Sequence, residues 1–369
     1  MSARLDLDLP GPELTAAVCD VPSVSGDETD LADAVESALR SYPHLRVDRD
    51  GDTVVARTEL GRVERVVVAG HLDTVPIASN LPTRREGHLL WGRGTVDMKG
   101  GVAVALRLAA HVVEPVRDVT YVFYDNEEVE ADRSGLGRVA RDHPEWLAAD
   151  FAVLMEPTGA QVEGGCNGTV RAEVTVHGRA AHSARWWMGS NAVHAAGNVL
   201  DRLRSYVPAE IDVDGLVYRE GMNAVDIRGG IAGNVIPDIC VVTVNYRFAP
   251  SRSLAEAEAH CRELFAGFEV AITDGAPGAR PGLAHPAATA FVAVVDAEVR
   301  PKYGWTDVAR FSAFGIPAVN YGPGDPSLAH ADDERVDVRE IQRCEDRMRA
   351  WLTDSVRPPQ GAHGDSVAV

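Results

Sequence analysis

Lysine is almost missing from this 369-residue chain: only Lys99 and Lys302 occur, and no run of Lys or Arg appears anywhere. With 36 basic against 55 acidic residues the net charge is −19. A field of that sign disfavours nucleic acid and anionic membrane surfaces as partners. Long apolar runs are missing as well, and nothing approaches the ~20 consecutive apolar residues of a membrane-spanning helix. The first ten residues carry charged side chains and no apolar run, unlike a secretory signal. Cysteine is sparse. Cys19, Cys166, Cys240, Cys261 and Cys344 lie far apart, with no pair at metal-clip spacing. Such a set reads as reduced thiols, so a cytoplasmic location is expected.

What remains is ordinary globular material, 45% hydrophobic and 25% charged. The length suggests more than one domain, at roughly 100–200 residues each. In the first half, strand-like and helix-like patterns alternate. Arg62 to Ala69 is β-branched and bounded by glycines, Met98 to Val113 reads as a helix rich in small residues, and Val119 to Tyr124 and Phe151 to Met155 are two more buried strands. This alternation predicts an α/β domain with a doubly wound, mostly parallel sheet. From about Gly168 the pattern changes to strand (170–176), helix (191–207), two strands (225–231 and 239–248), helix (254–265) and strand (268–272), the β-α-β-β-α-β order of a ferredoxin-like unit. A helix near 289–300 and a strand near 318–321 then resume the α/β character. The expected organisation is a catalytic domain over residues 1–167 and 285–357, an inserted α+β domain over 168–284, and a disordered tail over 358–369.

Four segments put ligand-type side chains at strand ends, where open α/β sheets build their sites. Gly70-His71-Leu72-Asp73-Thr74 offers a neutral imidazole and, two residues on, a carboxylate able to fix its tautomer. Asp97 precedes the helix of Met98 to Val113. Asn126-Glu127-Glu128 sets two adjacent carboxylates at a strand end, which repel unless a cation or proton compensates. Glu156 ends an otherwise apolar strand, where an unpaired charge is costly. His330 follows in the polar stretch Leu328 to Glu334. Taken singly, each admits a plainer role: a satisfied loop histidine, a helix N-cap at Asp97, a solvated acidic loop, an ion pair at Glu156.

In their order and spacing these segments resemble the zinc aminoacylase/carboxypeptidase-type metallopeptidases, over about Pro22 to Trp351 and including the inserted domain. The resemblance implies two zinc ions, replaceable by cobalt, with Asp97 bridging them. His71 and Glu156 would complete one site, Glu128 and His330 the other. Glu127 would be the general base, and Asp73 the residue that orients His71. The chemistry is coherent on its own terms: two ions ~3.5–4 Å apart lower the pKa of a water and polarise a carbonyl, and a Glu that is not a ligand can carry the proton to the leaving amine. Two positions depart from the family pattern, Asn126 where an Asp is common and Val129 where a Gly is common, and the Tyr303 to Asp307 stretch lacks a common glycine-rich run.

Within the family, the segments Gly168 to Ser183, Gly233 to Pro237 and Asn245 to Phe248, with Met155 to Thr158 and Gly165 to Thr169, are most similar to the actinobacterial succinyl-diaminopimelate desuccinylases. That resemblance implies hydrolysis of N-succinyl-LL-2,6-diaminopimelate to succinate and LL-2,6-diaminopimelate, within lysine and diaminopimelate synthesis. It also implies a homodimer through the inserted domain, whose His182 would stabilise the reacting carbonyl. The resemblance of Gly233 to Pro237 to a substrate-contact segment makes Asn234 a candidate substrate contact; Arg179, Arg247 and Arg310 are the others, because an anionic substrate meeting a chain of net −19 needs local arginines. Two alternatives stand beside this reading. One is an acetylornithine deacetylase or another N-acyl-amino-acid hydrolase or dipeptidase of the same family; the other is a metal- or ligand-binding relative that has lost turnover. A dinucleotide oxidoreductase is excluded for want of a G-x-G-x-x-G fingerprint.

Overall fold

A computed structural model describes residues 4–353; the tail expected over 358–369 lies outside them. Its contacts divide the described chain into two units. The first holds the chain up to Glu163, Gly282–Arg300 and the chain from Ala313; the second holds Gly164–Pro281 and Pro301–Ser312.

The first unit is built on an eight-stranded sheet in the order Arg46–Asp50, Thr53–Arg57, Asp118–Tyr124, Arg65–His71, Phe151–Leu154, Ala318–Asn320, Val162–Gly164, Val299–Pro301. The strands Asp118–Tyr124, Arg65–His71, Phe151–Leu154 and Ala318–Asn320 run parallel, and the Arg46–Asp50/Thr53–Arg57 hairpin extends the sheet antiparallel. The parallel strands are continuous apolar runs because both faces are covered: Asp118–Tyr124 and Phe151–Leu154 are buried throughout, and Val66, Val67 and Val68 form the heart of Arg65–His71. Helix Lys99–His111 packs on Arg65–His71 and against helices Gly11–Cys19 and Val338–Thr353. Its approach is close because Gly101 has no side chain. A Cβ there would meet the Met155 carbonyl oxygen at 2.1 Å, so the start of this helix rests directly on the backbone that carries Glu156.

The second unit is a four-stranded antiparallel sheet in the order Gly221–Gly229, Ile239–Phe248, Gly168–His177, Glu269–Ala276. Numbered along the chain this is 2-3-1-4, the ferredoxin-like order. Val170, Val174, Val242, Val244, Tyr246 and Phe248 line its core, under helices that include Leu254–Leu264.

Several expectations need correction. The helix expected near 289–300 spans only Pro286–Val295 and ends in a left-handed Asp296, after which Val299–Pro301 is an edge strand. The helix expected over 191–207 is broken into Ala192–Ala195 and Gly197–Ser205. Residues 301–312, assigned above to the returning α/β segment, pack with the second unit. There the Lys302 N–H reaches the Gly164 carbonyl at 3.5 Å and the Cys166 thiol lies 3.7 Å from the Thr306 carbonyl. All five cysteines are free and buried. Among the described residues no helix is long and apolar enough to cross a membrane.

Candidate metal centre

Three adjacent parallel strands deliver the acidic and imidazole groups to one edge of the sheet. His71 is the last residue of Arg65–His71, paired in register with Tyr124, the last of Asp118–Tyr124. Three residues beyond Tyr124 comes Glu127, then Glu128; two residues beyond Leu154 comes Glu156. Asp97 enters from the turn before helix Lys99–His111. That helix begins after Met98 with no side-chain cap, so the N-cap role open to Asp97 in the sequence is not the one it plays.

These side chains converge. Ligand atoms of His71, Asp97 and Glu156 lie within 4.8 Å of one another, and so do those of Asp97, Glu128 and His330. Asp97 belongs to both groups. A third grouping, His71 with Glu127 and Glu128, puts the Glu127 carboxylate against the same space. The His71 Nε2 sits 3.2 Å from Asp97 Oδ1, while His330 Nε2 sits 2.8 Å from Glu128 Oε1 and 3.4 Å from Asp97 Oδ2.

Four carboxylates and two imidazoles facing one space require positive charge. In the metal-free chain the histidines supply it. Hydrogen bonds that His330 donates to the Asp97 and Glu128 carboxylates push its pKa up to about 10. Burial works against the charged form of His71, yet Asp73 and Asp97 still raise its pKa well above the ordinary value. Burial likewise opposes ionisation of Asp97, but His330 and His71 hold its carboxyl well below the usual range. Imidazole and carboxylate donors arranged in two groups around a shared carboxylate are a donor set that suits divalent zinc.

The supports are as specific as the donors. His71 Nδ1 lies 3.0 Å from the Asp73 backbone carbonyl and 3.4 Å from its carboxylate, which leaves Nε2 facing Asp97. The Asp73 carboxylate is fully buried and also accepts the Glu127 N–H, the Glu128 N–H and the Ser25 hydroxyl. Asn126 adopts a left-handed backbone (φ 57°), a conformation Asn tolerates well, with its N–H donated to buried Glu28. Asp125, tied to Arg138 and Thr53, anchors the start of the same turn. Ser25, Glu28, Arg93 and Asp125 carry no spacing signal: Ser25 bonds across 48 residues and Arg93 across 241.

The remaining candidates lie in the second unit. His182 pairs with Val235 across a two-residue ladder and accepts the Ala184 N–H on Nδ1, so its Nε2 carries the proton and is free to donate. Asn234 adjoins it, its carbonyl accepting the Ser183 N–H. Arg179 is exposed, its backbone bridged to Ser190. Arg247 is mostly buried, and burial lowers its pKa; its side chain donates to Asn245, and no carboxylate lies within ion-pair distance among the described residues. Arg310 instead is held by the buried Asp307 and stacks over Trp305.

Comparison with known proteins agrees with this architecture. Residues 67–354 match Peptidase family M20/M25/M40, and the chain belongs to that family. It is 55% identical over 351 residues, covering 94% of this chain and 99% of the relative, to the Mycobacterium tuberculosis protein named "Putative succinyl-diaminopimelate desuccinylase DapE". It is 47% identical over 352 residues, 92% and 95% of the two chains, to the succinyl-diaminopimelate desuccinylase of Corynebacterium glutamicum. Among solved structures the fold is similar to the M20 family metallo-carboxypeptidase Sso-CP2 from Sulfolobus solfataricus, with TM-score 0.76, 16% identity and coverage of 93% and 98%. It is also similar to the Bacillus subtilis YXEP protein, a dinuclear metal binding peptidase, with TM-score 0.66, 14% identity and coverage of 93% and 96%.

Proposed function

We propose that this chain hydrolyses N-succinyl-LL-2,6-diaminopimelate to succinate and LL-2,6-diaminopimelate, as a metal-dependent amidohydrolase. The observation that carries the reading is Asp97 shared between two ligand groups with the Glu127 carboxylate beside them, in a chain about half identical to the named desuccinylases. His71, Asp97 and Glu156 would hold one zinc ion; Asp97, Glu128 and His330 would hold the second, and cobalt could replace either. When bound, such ions polarise an amide carbonyl and lower the pKa of water.

Glu127 is the general base. It takes a proton from the attacking water and passes it to the amine nitrogen as the amide bond breaks, so the products leave as a carboxylate and a protonated amine. Asp73 fixes the backbone of Glu127 and the imidazole of His71 at once. His182, with its Nε2 proton free, donates to the oxyanion that develops on the carbonyl. In a two-fold dimer formed through the ferredoxin-like unit, it does so from the partner subunit.

The substrate carries three carboxylates and one ammonium, and the chain as a whole repels it. Arg247, largely shielded and, among the described residues, in ion-pair contact with no carboxylate, is therefore the best suited of the three candidate arginines to receive a substrate carboxylate. Arg310 already has Asp307, and its contribution is to shape the region. The test is a substrate panel on metal-loaded protein, with N-succinyl-diaminopimelate beside N-acetylornithine. Higher kcat/KM on the succinyl substrate, lost selectively in Arg247→Ala, supports the assignment; preference for the acetyl substrate contradicts it.

A further inference from the structure

One buried ion pair stands next to the metal centre and takes no part in the chemistry above. Arg93 is 3% exposed and Glu334 1%. Arg93 Nη1 meets Glu334 Oε2 at 2.8 Å and lies 3.2 Å from the Ala331 carbonyl, while its Nε reaches the Pro76 carbonyl at 3.2 Å. The other Glu334 oxygen accepts the Val96 N–H at 2.9 Å and the N–H of Asp97 itself at 3.2 Å. The Glu334 carbonyl accepts the Gly92 N–H at 3.0 Å. The pair thus joins three segments far apart in sequence, those that carry His71, Asp97 and His330.

Burying two full charges is costly, and apolar residues of similar volume often stabilise a fold as well or better. An apolar pair could not hold these backbone groups. Two of them matter for ligand geometry. The Asp97 N–H sets where the shared carboxylate starts. The Ala331 carbonyl follows His330, whose backbone is left-handed (φ 64°), a conformation that persists only where its surroundings over-determine it.

We propose that Arg93 and Glu334 are positioning residues that hold Asp97 and His330 at the spacing the metal pair requires. This rests on the metal-centre reading above. Its first consequence concerns the Asp97–Glu128–His330 group, since the pair clamps the segments that carry Asp97 and His330.

Glu334→Ala would strand a buried guanidinium and is expected to unfold, so Arg93→Lys carries the test. Lysine keeps the positive charge opposite Glu334 but loses the planar fork that spans the Pro76 and Ala331 carbonyls. Metal-stripped wild type and variant are titrated with zinc and, separately, with cobalt, whose visible absorption reports ligand geometry. The proposal expects a folded variant with the weaker ion bound about 10–100-fold less tightly, the usual penalty for losing a group that orients ligands. The cobalt spectrum should shift, and KM at saturating metal should stay near wild type while kcat falls. A folded variant with wild-type metal affinities and spectrum overturns the proposal, as does a variant that loses thermal stability alone or fails to fold. A wild type that binds no divalent ion contradicts the metal-centre reading instead.

Discussion

The carboxylate of Asp73 accepts the backbone N–H of Glu127, with Oδ1 3.0 Å from that nitrogen. Its other oxygen takes the Glu128 N–H at 3.0 Å and the Ser25 hydroxyl at 2.7 Å. One buried group therefore fixes the backbone of both the proposed general base and a proposed metal ligand. Because the closer partner of His71 is the Asp73 main-chain carbonyl at 3.0 Å, Asp73→Asn leaves much of the imidazole's orientation intact. The amide must nevertheless turn a donor toward N–H or O–H donors on one side. The expected outcome is a loss of activity of about 10–100-fold with a smaller change in metal affinity, read from kcat and metal titrations. A pure loss of metal with normal turnover after reloading would contradict this division of roles.

The neighbours Glu127 and Glu128 should separate cleanly. Glu127→Gln cannot accept the water's proton, so turnover should fall ~10²–10⁴-fold with metal content near that of wild type. Glu128 Oε1 lies 2.8 Å from His330 Nε2 in the second ligand group, so Glu128→Gln should lower the occupancy of one ion. Metal analysis alongside activity checks both, and exchanged phenotypes would reverse the assignment.

Much of this centre was legible before any coordinates. His71, Glu127, Glu128 and Glu156 are ligand-type residues at or just beyond the ends of strands that apolar runs announce, and those ends fall on one sheet edge as the topology requires; Asp97 and His330 join them from a turn and a loop. The ferredoxin-like order was readable from the alternation in Val170 to Val176 and the helical pattern of Leu254 to Phe265. What escaped is what depends on distant partners or local breaks. The Glu210–Val213/Leu216–Arg219 hairpin was missed, as was the small sheet of Arg84–Glu86, Leu89–Trp91 and Arg335–Asp337, because three- and four-residue strands show no periodicity. The apolar run of Pro286–Val295 concealed its early end at Asp296. Ser25, Glu28 and Arg93 are ordinary polar residues until folding brings Asp73, Asn126 and Glu334 to them.

Metal binding should depend on pH with a definite sign. In the metal-free chain His330 keeps its proton up to about pH 10, held by Asp97 and Glu128, and His71 is also raised well above its ordinary value by Asp73 and Asp97 against burial. A divalent ion must displace these protons, so affinity should rise with pH up to about 10, the His330 value, and then level off. Zinc titrations in buffers of different ionisation enthalpy at about pH 8 should show proton release. Binding without proton release would mean that the histidines are not ligands.

His182 acting across a dimer makes a quantitative prediction. Mixing inactive His182→Ala with inactive Glu127→Gln gives, after random reassortment, about half mixed dimers, each with one complete site. Roughly a quarter of wild-type activity should return, given closed two-fold pairing. Demonstrated subunit exchange with no recovery would place His182 outside the partner's site.

The most direct measurement is hydrolysis of N-succinyl-LL-2,6-diaminopimelate by protein whose metal content has been measured. Verified metal-free protein should release no succinate, and stoichiometric zinc or cobalt should restore turnover, because His71, Asp97, Glu128, Glu156 and His330 form the proposed ion-binding groups. Full succinate release from the metal-free protein, or none from protein loaded with either metal, would contradict the account.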